Sequence, residues 1–136
     1  MAHLRGTADD IRARVPPVLE AWEFMRDNVL RDGLVDPELK RLCFRSLAEE
    51  IDVEQYSGRE RLALEWAYAI AWDSDKADDS LWERLHAEFT EPELVELGSF
   101  VCLTYGQQRV IKTWAVGHGE FLADTTGGLA AREAGS

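Results

Sequence analysis

The chain predicts an all-α domain of about six helices, on three observations. Apolar residues recur at helical spacing throughout. No segment alternates in the manner of a strand. Helix-start chemistry recurs, at Thr7-Ala8-Asp9-Asp10, Asp36-Pro37-Glu38, Ser57-Gly58-Arg59-Glu60 and Thr90-Glu91-Pro92-Glu93.

Each element follows from its residues. Thr7 caps a short first helix with acids in its first turn. Pro16-Pro17 ends or kinks it. A second helix is expected from about Pro17 to Arg31, with Val18, Trp22, Met25 and Val29 on one stripe and Gly33 past its end. Asp36-Pro37 opens a third, whose apolar face is Leu39, Leu42, Cys43 and Leu47. A polar connection follows from Ile51 to Tyr56. Ser57 and Glu60 have capping-box separation, opening a largely buried helix to Trp72 with Leu62, Leu64, Trp66, Tyr68 and Ile70. After the charged loop Asp73 to Asp79, either Asp79 or Ser80 caps a short helix with Leu81, Trp82, Leu85 and Phe89. Thr90 and Glu93 then open the last helix, to about Val116. It reads as apolar on almost every face for three turns, the pattern of a buried central helix, before Gln107-Gln108-Arg109. Residues 1–120 are expected to form one domain and 121–136 a flexible tail.

The totals narrow the function. The 136 residues suffice for one real core. Fifteen Lys and Arg against twenty-six Asp and Glu give a net charge of −11, which argues against nucleic acid and anionic membrane surfaces. No apolar run has bilayer-spanning length, and MAHLRGTADD lacks the apolar core of a secretory signal. Two distant cysteines, Cys43 and Cys102, suit free thiols in a reducing cytoplasm. Several helices show more than one apolar face, which points to a homo-oligomer, a dimer or trimer.

Three segments carry a family resemblance: Gly33-Leu34-Val35-Asp36-Pro37-Glu38-Leu39-Lys40, Tyr56 to Leu64, and Phe89 to Leu97. In order and spacing they resemble the carboxymuconolactone decarboxylase and alkylhydroperoxidase D-like family, over roughly residues 33 to 114. The resemblance implies an alkylhydroperoxidase D-like helical fold and an oligomer. Peroxidase members carry a Cys-x-x-Cys pair followed by a His. This chain has no Cys-x-x-Cys. One thiolate attacks peroxide and its neighbour resolves the sulfenic acid, so the family's peroxidase activity does not transfer without the pair. The shared Pro-Glu-Leu start of Pro37 and Pro92 is a faint internal echo, which favoured helix-start chemistry also explains.

Candidate chemistry centres on Gln107, Gln108, Arg109 and Tyr105. Arg109 can fork onto a carboxylate, the amides can orient a carbonyl, and Tyr105 one turn earlier can donate a proton. The alternative pairs Arg109 with an acid of another helix or subunit. Cys102, set among apolar neighbours, and Cys43 read as small buried hydrophobes rather than reactive thiols. His86 has a general base's residue type but no partner in sequence, so it reads as a surface histidine. Trp66, Tyr68, Trp72 and Trp114 either wall a pocket for a flat ligand or fill a core or interface. No metal-ligand spacing appears, and neither metal nor cofactor is expected.

Two functions follow as expectations. One is a non-catalytic binding or assembly protein that has lost the dithiol. The other is a non-redox decarboxylase-type enzyme acting on a small carboxylated molecule, with Arg109 as its anchor. A cysteine-dependent peroxidase ranks third.

Overall fold

The computed structural model describes residues 3–30, 33–48 and 51–114, and these are all-α. Their α-helices are α1 (Ala8–Arg12), α2 (Pro16–Met25), α3 (Pro37–Ala48), α4 (Gly58–Trp72), α5 (Asp79–Glu88) and α6 (Glu91–Trp114). The side chain of Val29, the helix continuation to Val116 and the tail at 121–136 lie outside the described residues.

Helices α3, α4 and α6 pack on one another, with α5 against α4 and α1 against α2. Phe44, Leu64, Leu85, Leu97 and Phe100 are fully enclosed where these elements meet. Each such side chain contributes roughly 1.5–3 kcal/mol relative to exposure. Ala63 and Ala67 of α4 are fully buried too, and small residues let helix axes approach closely.

Two capping boxes form, one at Thr90 as expected and one at Thr7, where only a cap was expected. Thr7 accepts from the Asp10 amide at 3.1 Å while Asp10 accepts from the Thr7 amide. Thr90 and Glu93 repeat the exchange at 3.3 and 2.9 Å. The box expected at Ser57 is absent, because Ser57 makes no side-chain cap bond. Gly58 intervenes at φ +61°, a left-handed step that changes how the chain enters α4. Asp78, rather than Asp79 or Ser80, caps α5 by accepting from the Leu81 amide at 2.9 Å. A cap must stand one residue before the first helical one, and Asp79 is already helical.

The second helix stops sooner than expected. α2 ends at Met25 and a π turn covers Arg26–Leu30. The Asn28 side-chain amide donates to the Phe24 carbonyl at 2.8 Å, the acceptor an α-helical ladder reserves for the Asn28 N–H. Side-chain insertion of this kind widens a turn. On α2, Trp22 is buried but Val18 faces solvent, so the expected stripe is incomplete.

The two central helices are less enclosed than their composition suggests. On α4, Tyr68 and Trp72 are exposed. On α6 the buried positions are Leu94, Glu96, Leu97, Phe100, Val101, Thr104, Tyr105 and Gln108, while Val95 and Cys102 face solvent. α6 is therefore a one-sided helix whose outer face carries no charge from Val95 to Gly106. An uncharged outer face reads the same as a buried one in sequence.

Candidate functional site

Gln107, Gln108 and Arg109 do not converge. Consecutive helical residues are turned about 100° from one another, so three in a row address three directions. Gln107 faces α1, where its carbonyl oxygen accepts from Arg12 Nε at 3.2 Å and Nη2 at 3.0 Å. Gln108 is buried and Arg109 is exposed.

Arg109 keeps to its own surface. Its Nη1 donates to the Tyr105 hydroxyl at 2.7 Å. Its guanidinium stands 5.1 Å from the Trp72 ring and 5.3 Å from the Tyr105 ring. Tyr105 and Trp72 meet edge to face at 6.1 Å. Among the described residues Arg109 has no carboxylate partner. The group is an exposed cation on an aromatic shelf, where cation–π attraction is worth about 0.5–1 kcal/mol.

Among the described residues the buried arginine is Arg12. Besides Gln107 it reaches Asp9 Oδ1 at 2.8 Å, and its guanidinium lies 4.4 Å over Trp22. It ties α1 and α2 to the last third of α6. The same end is closed by the Trp114 carbonyl, which accepts from the His3 and Leu4 amides at 2.7 and 3.0 Å.

The most enclosed charged group is Lys40, at 0% exposure. Its Nζ lies 3.0 Å from Glu96 Oε2. Glu96 also accepts from the Leu34 amide at 2.9 Å and the Val35 amide at 2.6 Å. Gly33 completes this cradle, since a Cβ there would stand 2.1 Å from Glu96 Oε1. Burial pushes the Glu96 carboxyl up, but the two amides and Lys40 outweigh it and hold it below the ordinary glutamate range. Neither residue stood out in sequence. Their signal was weak but real: Lys40 lies one turn from Phe44, and Glu96 is the lone charge between Leu94 and Gln108.

The remaining candidates are dispersed. Trp66 is a core residue, edge to face with Trp82 at 5.4 Å and pressed against Gly98. His86 is exposed beside Trp82, with ring centroids 5.7 Å apart. Cys43 is buried, and desolvation pushes its thiol up to about 12. Cys102 is exposed, against the expectation of a buried hydrophobe, because it sits on the outer face of α6. Among the described residues, no group of three or more His, Cys, Asp or Glu could hold a metal ion. No helix among them is long and apolar enough to cross a membrane.

Comparison with protein-family models, with curated proteins and with solved structures finds no match for this chain.

Proposed function

We propose that this chain is a helical binding and assembly protein, a divergent relative of carboxymuconolactone decarboxylase and alkylhydroperoxidase D-like proteins that lacks the redox dithiol. The observation that carries the reading is the dispersal of the candidate groups. Arg109 leans on Trp72 and Tyr105, Gln107 is engaged by Arg12, and His86 lies on the separate helix α5. Cys43 is buried with a thiol that resists ionisation. Of the interior charges, Glu96 holds the Leu34 and Val35 amides and Lys40 pairs with Glu96.

A second reading draws on one specific observation. Arg109 has donors left over and no carboxylate among the described residues, as the anchor of a non-redox enzyme for a small carboxylated molecule would. Sedimentation across a concentration series separates the two when paired with an assay for carbon dioxide release from small carboxylates. Assembly predicts self-association and no release above buffer. Saturable release that disappears in Arg109→Ala would establish the enzyme instead. Peroxide consumption unchanged in a Cys43→Ser/Cys102→Ser variant rules out a thiol mechanism.

A further inference from the structure

We infer that two copies of this chain pair through the outer face of α6, antiparallel, with the two-fold axis crossing between Ser99 and Cys102. This rests on the assembly reading and specifies its surface. The chain carries a charge of −11, so most of its surface repels a second copy. The outer face of α6 from Val95 to Gly106 departs from this. Between Leu94 and Gln108 the only charge is Glu96, and it is turned inward to Lys40. What remains outside is Val95, Cys102 and Gly106, with Ser99 half-buried among them, about three turns without a charge. Val95 is 70% exposed.

Nothing among the described residues requires a glycine at Gly106. A Cβ there would meet nothing within 4 Å, and its backbone is ordinary helix. Glycine at such a position costs about 1 kcal/mol relative to alanine. Gly98 on the same helix is different, since a Cβ there would stand 2.9 Å from Trp66. A costly glycine facing open space is accounted for when another surface comes close there.

The occupant follows from complementarity of size and charge on one line of the helix. With the axis between Ser99 and Cys102, Val95 of one copy falls opposite the partner's Gly106, a projection against a flat spot. Glu91 and Arg109 lie about five turns apart on the same side of α6. Both are exposed, and among the described residues neither has an ion-pair partner. Antiparallel pairing sets Glu91 of each copy beside the partner's Arg109. One register satisfies the apolar, small and charged positions together, and Trp72, 54% exposed beside Arg109, widens the contact at each end.

The test uses the full chain in sedimentation equilibrium. Wild type should fit a monomer–dimer equilibrium. Reversing one charge turns two attractive contacts into two repulsive ones, so Glu91→Lys or Arg109→Glu should each weaken dimerisation about tenfold. The double variant should recover to within about twofold of wild type. Gly106→Ala should raise the thermal midpoint measured at dissociating concentration and still weaken the dimer, a combination that a purely intrachain role does not produce. A short bis-maleimide should link two chains through Cys102 and fail in Cys102→Ser. Circular dichroism confirms that each variant is folded. A dimer that shows neither charge recovery nor linkage at Cys102 overturns this interface and leaves the assembly reading standing. A monomer at every concentration overturns both.

Discussion

Lys40 and Glu96 stand 3.0 Å apart inside the protein, the one fully enclosed and the other also bound to the amides of Leu34 and Val35. Burying both charges is expensive, and the compensation is shared among three donors. The pair therefore fixes geometry more than it adds stability. It holds the segment before α3 against the flank of α6.

Removing one member takes from the other a partner that offsets its burial. Lys40→Met or Glu96→Leu should each destabilise by about 3–5 kcal/mol, measured by urea unfolding. The double variant Lys40→Met/Glu96→Leu should cost less than the sum of its singles, because the interaction between the two side chains is then lost once rather than counted twice. A simple sum would show that the two side chains act independently.

Acid should loosen the same clamp. Glu96 is held below the ordinary glutamate range when folded, so its contribution is complete above that range and fades as pH falls through the lowered value. Lys40→Met removes part of what lowers it. The acid transition of that variant, followed by near-ultraviolet circular dichroism, should therefore lie at higher pH than wild type.

Gly33→Ala should be costly for a reason of space. Its added carbon would stand 2.1 Å from a carboxylate oxygen that is itself held by Leu34. A loss of about 2–4 kcal/mol is expected by thermal unfolding, well above the usual surface substitution.

The fold was legible where local chemistry decides it. The proline-marked starts of α3 and α6 and the boxes at Thr7 and Thr90 stand where their residues put them. The interior polar pair was not legible, because a lysine in an amphipathic helix normally faces water and its partner lies three helices further along the chain. Arg109 drew attention as the cation ending a helix read as buried, whereas among the described residues the buried arginine is Arg12. Arg12 sits in a helix too short to show a period, so its inward aim left no pattern to read. Cys102 was misjudged because an uncharged outer face and a buried face have the same composition.

The thiols should separate under labelling. Cys102 is exposed and should react with maleimide in the native protein, while Cys43 should react only on unfolding. Cys102→Ser should then leave no fast-labelling thiol among the described residues. Comparable native labelling of Cys43 would mean that α3 opens readily from the core.

The clamp also bears on how the protein is made. α3 leaves the ribosome before the acid that Lys40 meets on α6 has been translated. Until Glu96 emerges, the wall that α6 gives to α3 is missing and the enclosure of Lys40 stays unfinished. The core around α3 thus closes only when α6 arrives, and nascent chains halted before α6 should remain open to protease across α3.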